Sequence, residues 1–334
     1  MSMRGLESLP YSLDGDLMRV DRSNKKSIRS AFGKALSEIG EINEKVVVMD
    51  ADLACSTQTQ VFWKKFPERF FDSGIAEQDM MATAAGLAAG GKIPFVASFA
   101  MFATGRTYDQ IRNSICYPEF NVKIIGTHGG ITVGEDGASH QALEDVALMR
   151  NIPHMTVIVP ADCKECEEVV KYAAMHDGPM YIRIARSNVP DIFGEDYHFN
   201  IHKAVILEEG TDVSVFTNGE TLAEVLGAAE ILKEEGISVE VINVPVIKPL
   251  DMETVINSVK KTNYAITVEN HSVIGGLGSA VCETLSGHYP CKVYRIGIHD
   301  EFGQSGEANE LLAYYGLTAE TLAKRIRSKL MENK

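Results

Sequence analysis

Val122-Lys123-Ile124-Ile125-Gly126 leads directly into Thr127-His128-Gly129-Gly130-Ile131-Thr132-Val133-Gly134-Glu135-Asp136-Gly137-Ala138-Ser139-His140-Gln141. A strand-length run that is apolar at consecutive positions belongs in a sheet covered on both faces. Similar runs recur at Val46–Met49, Phe95–Phe99, Thr156–Val159 and Met180–Ile184. Between them, helical patterns are expected over Ser27–Ile42, Glu77–Gly90, Thr104–Cys116, His140–Met149 and Cys163–Met175. This alternation is that of crossover units in a parallel sheet. Past Arg186 the periodicity fails and turn formers gather, which points to a linker. A second set follows, with strands expected at Val213–Phe216, Val239–Val244, Ala265–Val268 and Val293–Ile296, and helices at Thr221–Glu235, Leu277–Leu285 and Ala319–Leu330. The expected fold class is α/β, with two doubly wound, mainly parallel-sheet domains. The expected division is an N-terminal extension (1–24), a first domain (25–190), a linker (191–203) and a second domain (204–334).

Composition sets limits on function. The chain has 334 residues, 45% of them hydrophobic, and a formal charge of −14. That charge argues against nucleic acid as a partner, because phosphate backbones require clustered Lys and Arg. No stretch approaches about 18 uncharged apolar residues, so no membrane span is expected. Met1–Asn24 is polar, contains Arg4, Arg19 and Arg22, and has no apolar core of a secretory signal; a cytoplasmic location is expected. The six cysteines are too scattered for a disulfide framework, and Cys163-Lys164-Glu165-Cys166 has no second half of a zinc site, so it reads as two ordinary helix cysteines.

In open α/β sheets ligands sit beyond the carboxyl ends of the strands. The residues there are Asp50, Asp52 and Ser56 after the first run, Phe99 and Phe102 after the second, Thr127 and His128 after the third, and Arg186 after the fifth. Gly134 and Gly137 allow backbone turns that could bring His128 and His140 to one cavity; the His and acid spacings match no tight zinc or iron pattern. Phe99 and Phe102, three apart, are either core or a platform for a flat heterocycle. Arg29 and Arg186 are either surface charges or forks for a phosphate monoester. Neither GxGxxG after a strand nor GxxxxGK[ST] occurs. Gly275-Gly276-Leu277-Gly278 reads as a helix N-terminus or a close helix contact.

Glu77 ends the heptamer Phe71-Asp72-Ser73-Gly74-Ile75-Ala76-Glu77 and precedes Met80, Met81, Ala82, Ala84 and Ala85. A carboxylate in such apolar company needs a partner, or its pKa must rise. The plain alternative is a first-turn acid stabilised by the helix dipole by roughly 0.3–1 kcal/mol.

Asp72 through Gln78, Phe99-Ala100-Met101-Phe102, Thr127-His128-Gly129-Gly130 with Gly134 through Gln141, and Arg186-Ser187-Asn188-Val189-Pro190 together resemble the thiamine-diphosphate-dependent transketolases. The resemblance runs from about Arg29 to the chain end, over that family's pyrimidine-binding and C-terminal domains. The family's GDG with a downstream Asn, which holds Mg²⁺ (or Ca²⁺) and the diphosphate, is missing from the sequence. The chain is therefore similar to the C-terminal subunit of a split enzyme. The resemblance implies a partner subunit carrying GDG and Asn, an α2β2 assembly, and sugar phosphate substrates.

It also implies residue roles. Glu77 would bond N1′ of the aminopyrimidine and favour its imino tautomer, through which the thiazolium C2 proton is lost. Phe99 and Phe102 would pack on the pyrimidine, and Asp52 would lie near the thiazolium. His140 would donate to the ketose C1 hydroxyl and carbonyl region, and Asp136 would contact the acceptor C2 hydroxyl. Arg29, Ser56, His128 and Arg186 match positions that bind the sugar phosphate. A third aromatic sometimes found beside the pyrimidine is replaced by Gly105, implying a looser pocket or a gap filled by the partner. Gly74 through Gln78 and Tyr108-Asp109-Gln110 are also similar to 1-deoxy-xylulose-5-phosphate synthase, and the length and domain order to the β-subunit of a 2-oxo acid dehydrogenase E1. Thr127-His128 and the set of Arg29, His128 and Arg186 favour transketolase over these, and the intact Glu77, His128, Asp136 and His140 disfavour a non-catalytic regulatory homologue.

Overall fold

The computed structural model describes residues 20–333. Residues 1–19 of the expected extension, with Arg4 and Arg19, lie outside the described residues, as does Lys334. The chain begins with β1 (Lys25–Lys26), α1 (Ile28–Ile42), β2 (Val46–Asp50), α2 (Ala54–Thr57), α3 (Gln60–Lys65), β3 (Phe70–Asp72), α4 (Glu77–Ala89), β4 (Ile93–Phe99) and α5 (Ala100–Thr104). A π-helix (Gln110–Cys116), β5 (Lys123–Thr127), a 3₁₀ segment (Ile131–Asp136), α6 (Asp145–Asn151), β6 (Thr156–Ile158), α7 (Cys163–Met175), β7 (Met180–Ile184) and β8 (Val189–Pro190) follow. The second part holds β9 (Val205–Glu208), β10 (Val213–Thr217), α8 (Thr221–Glu234), β11 (Val239–Asn243), β12 (Val246–Lys248), α9 (Met252–Thr262) and β13 (Tyr264–Ser272). It ends with α10 (Leu277–His288), β14 (Lys292–Ile298), α11 (Ala308–Tyr314) and α12 (Ala319–Asn333).

The larger sheet has the order β12-β6-β7-β5-β4-β2-β3 and the smaller β14-β13-β10-β11-β9. Within these two sheets all pairings are parallel except β12 with β6 and β9 with β11, each at a sheet edge, and β1 pairs antiparallel with β8 as a separate two-stranded ribbon. Every residue of β2, β5 and β7 is buried, as continuous apolar runs require of a sheet with helices on both faces. On one side, α1 places Phe32, Leu36 and Ile39 in the same core as Val46, Val48 and Phe95. Each such side chain contributes about 1.5–3 kcal/mol on full burial. The sheet grows from β2 toward β3 and then turns back to β4 on the other side, which opens a crevice at the carboxyl ends of β2 and β4.

The two sheets are locked together by buried polar contacts. Arg183 Nε donates to Asp145 at 2.8 Å, and its Nη2 donates to the carbonyls of Ala142 (3.1 Å) and Asn270 (2.9 Å). Asn270 also accepts from Ile131 N–H at 3.0 Å and donates to Glu220. Removing one member of a buried pair such as Arg183–Asp145 leaves an uncompensated charge, at a cost of about 3–5 kcal/mol.

Two expected helices are corrected. The helix expected over His140–Met149 begins only at Asp145, and Ser139 does not cap it. The Gln141 amide donates instead to the carbonyls of Ile131 (3.0 Å) and Gln304 (3.0 Å), and Gly130 N–H donates to Ala142 O, so the loop persists to Glu144. The helix expected over Thr104–Cys116 breaks at Gly105–Thr107 and resumes with a wide π-helical turn. Thr104 and Thr107 donate their hydroxyls to the carbonyls of Ala100 (2.7 Å) and Ala103 (2.6 Å), back-bonds of the kind that bend helices. Gly275–Gly278 does open a helix, and it follows β13 directly; the Glu269 carboxylate accepts from Leu277 and Gly278 N–H, so that N-terminus is already satisfied from within. Cys163 and Cys166 are unbridged residues of α7, whose N-cap is Asp162.

Candidate active site

The crevice is built from six segments that leave strand ends or begin helices. After β2, buried Asp50 accepts from Leu53 N–H (2.6 Å), Thr57 (2.7 Å) and Thr59 (2.8 Å), fixing the loop that carries Asp52 and Ser56. Burial pushes its pKa up to about 6 against the pull of those donors. Asp52 is exposed, with φ 62°, and its N–H donates to Asp72 at 3.1 Å. Asp72 also accepts from Gly74 N–H at 2.9 Å, which joins this loop to the turn before Glu77. Arg29, in the first turn of α1, donates to the Ser56 carbonyl at 2.8 Å.

The carboxyl end of β4 supplies Phe99 and, one short turn on, Phe102; their rings lie 6.0 Å apart at 17°. His128, just past β5 with φ 59°, stacks on Phe99 at 3.8 Å and meets the Thr127 hydroxyl through Nδ1 at 2.9 Å. The positive φ of Gly134 (83°) and Gly137 (72°) folds the following loop back. His140 thereby stands edge-on to Phe102 (5.1 Å) and Phe99 (6.2 Å), with Nδ1 2.9 Å from Ser139 Oγ. Both imidazoles thus border one pair of aromatic rings. Arg186, after β7, donates to Val133 O at 2.7 Å and to Glu135 at 3.1 Å. Asp136, in the same loop, is exposed.

Glu77 is only 3% exposed, and the partner expected of it is present: Arg106 Nη1 lies 3.1 Å from its carboxylate. Arg106 has no regular spacing from Glu77 and escapes sequence reading. The guanidinium also stands over the Phe102 ring at 4.5 Å, beside Gly105. A Cβ at Gly105 would lie 3.0 Å from Met101 O, so a glycine suits the tight turn there.

Two arginines act on His128. Burial, followed by Arg29, Arg186 and His140, pushes the His128 pKa down to about 3, so its ring is neutral near pH 7. Burial and the neighbouring Arg186 also lower that of Arg29. A phosphate or other anion would relieve this mutual repulsion. The acid and aromatic rings fit the heterocyclic part of thiamine diphosphate: a buried carboxylate, able to hydrogen-bond a ring nitrogen, near flat apolar faces. Among the described residues no group of three or more His, Cys, Asp or Glu side chains converges as a metal ion would require. A cavity of about 400 Å³ adjoins the His140 loop between Met101, Gln141, Ser272 and Phe302. A roomier one of about 660 Å³, lined by Tyr108, Arg150, Lys248 and Glu283, includes none of the site residues, so volume alone does not locate the site.

Comparison with known proteins defines the class and then the family. Residues 24–191 match the family model "Transketolase, pyrimidine binding domain" and residues 202–322 match "Transketolase, C-terminal domain". The chain belongs to the transketolase family, whose members depend on thiamine diphosphate. It is 50% identical over 91% of its length, and 96% of the relative's, to a "Putative transketolase C-terminal section" of Methanocaldococcus jannaschii. It is 42% identical over 89% of its length, and 92% of the relative's, to the "6-deoxy-6-sulfo-D-fructose transketolase subunit SqwH" of a Clostridium species. Among solved structures, "Split gene transketolase, inactive beta4 tetramer" shares 50% identity and a TM-score of 0.85, covering 91% of this chain and 98% of that one. No helix among the described residues is long and apolar enough to cross a membrane.

Proposed function

We propose that this chain is one subunit of a two-part, cytoplasmic transketolase that moves a two-carbon ketol unit from a ketose phosphate to an aldose phosphate. The observation that carries the reading is His128 stacked on Phe99 at 3.8 Å, buried and close enough to Arg29 and Arg186 that both guanidiniums act on it. Such a set suits an anionic tail on a substrate held beside a flat cofactor. The name of the Clostridium relative, a sulfo-sugar transketolase subunit, supports an anionic group as the recognised feature. Coverage of 98% of a split-gene structure supports a partner subunit, with the GDG and Asn that hold the diphosphate and Mg²⁺ assigned to that partner.

Thiamine diphosphate, when bound, supplies a nucleophilic carbon and a sink for the electrons of the bond that breaks. Glu77 holds a proton at N1′ of the aminopyrimidine, which a carboxyl in apolar surroundings is suited to share. Phe99 and Phe102 would hold that ring, and Asp52 would face the thiazolium part. His140 donates to the substrate carbonyl and C1 hydroxyl, Asp136 orients the C2 hydroxyl of the acceptor, and Arg29, Ser56, His128 and Arg186 bind the phosphate. Arg186→Ala tests the phosphate assignment in a ketol-transfer assay. KM is expected to rise for phosphorylated sugars with little change for free ones, as loss of a ground-state contact requires. Equal effects on both would remove Arg186 from the phosphate site.

A further inference from the structure

We propose that Arg106 is a positioning residue that occupies the pyrimidine subsite from within the chain and yields it to the incoming cofactor; this rests on the reading of Glu77 and Phe102 given above. The heterocycle needs two things from this protein, a hydrogen bond to the Glu77 carboxylate and an aromatic face. Arg106 makes both contacts at once, 3.1 Å from Glu77 Oε2 and 4.5 Å above the Phe102 ring. A guanidinium is flat and stacks on aromatic faces, so it is a good stand-in for a flat nitrogen heterocycle.

Burial explains why a stand-in is needed. Glu77 is 3% exposed on the first turn of α4, among Met80, Met81 and Ala84, where an unpaired carboxylate is costly. Arg106 supplies the pairing, yet its own side chain is 47% exposed and lies in the turn Gly105–Thr107 rather than within a helix. The turn is pinned below by the Thr104 and Thr107 back-bonds, so the backbone stays in place while the long side chain can leave. A half-exposed pair of this kind is weak enough to exchange. Closing the subsite lowers the apparent cofactor affinity in proportion to the closed population.

The experiment is calorimetric titration of thiamine diphosphate with Mg²⁺ into the complex of this chain with the proposed GDG-bearing partner subunit, made with the native chain and with Arg106→Gln, Arg106→Lys, Glu77→Gln and the double variant Glu77→Gln/Arg106→Gln. Circular dichroism checks that each is folded. Arg106→Gln is expected to bind roughly three- to tenfold more tightly than the native chain, from the modest strength of such contacts. Arg106→Lys, which keeps the charge but stacks poorly, should lie between them. The gain should vanish in the double variant, because it depends on releasing Glu77; a merely structural Arg106 would show no such dependence. Unchanged, weaker or undetectable binding by Arg106→Gln overturns the proposal. Glu77→Gln binding as tightly as the native chain instead overturns the underlying assignment of Glu77.

Discussion

A single carboxylate shows how environment decides chemistry. On the surface Glu77 would be a helix-dipole acid, and its position on the first turn of α4 permits that reading. Its near-complete burial, the Arg106 partner and the aromatic pair nearby set it apart from a surface acid, and on the proposed reading it bonds a heteroaromatic nitrogen of the cofactor. Glu77→Gln is nearly isosteric but cannot accept and return that proton. With partner and cofactor present, the variant is expected to keep the native circular dichroism spectrum and lose activity by a factor of about 10²–10⁴, the usual range for removing an acid or base. Normal turnover would assign Glu77 to structure only. His128 follows the same logic with opposite charge: burial and two arginines keep it neutral, ready to gain from an anion.

At the level of elements, much of the larger sheet was legible because its strands are buried on both faces and therefore read as unbroken apolar runs, as at Val46–Asp50 and Met180–Ile184. The strand-end rule then led to Asp52, Ser56, Phe99, Phe102, His128 and Arg186, since topology fixes which ends meet at the crevice. What escaped depends on contacts distant in sequence: the loop held open by Gln141, the break at Gly105 and the Arg106–Glu77 pair. The amphipathic helix Met252–Thr262 was also missed, although Val255 and Val259 carry its period and Asp251 caps it.

Glu165 provides a test at this scale. On α7 it accepts from Tyr197 (2.6 Å), Asn243 (2.8 Å) and Ala161 N–H (2.7 Å), tying that helix to β11. Burial outweighs those donors and pushes its pKa up to about 8 from an ordinary 4.5. The folded state therefore holds the proton more tightly than the unfolded one. The associated stability is fully present below about pH 4.5 and is lost as pH rises toward 8. Urea midpoints measured across that window should fall less steeply with pH for Glu165→Gln than for the native chain, whatever the variant's absolute stability. Identical slopes would mean that Glu165 is ionised throughout.

For the whole molecule, two sheets joined through Arg183, Asn270 and Glu220 place the crevice of the larger sheet beside the loops of the smaller one. This arrangement presents a carboxylate and aromatic faces, with Arg29 and Arg186 acting on His128; on the proposed reading the arginines take an anion, and the diphosphate and metal fall to the partner. The decisive measurement is ketol transfer between phosphorylated sugars, with thiamine diphosphate and Mg²⁺, by this chain alone and mixed with a subunit bearing GDG and its downstream Asn. Transfer is expected only from the mixture; transfer by this chain alone, or none from the mixture, would contradict the division of one active site between two polypeptides.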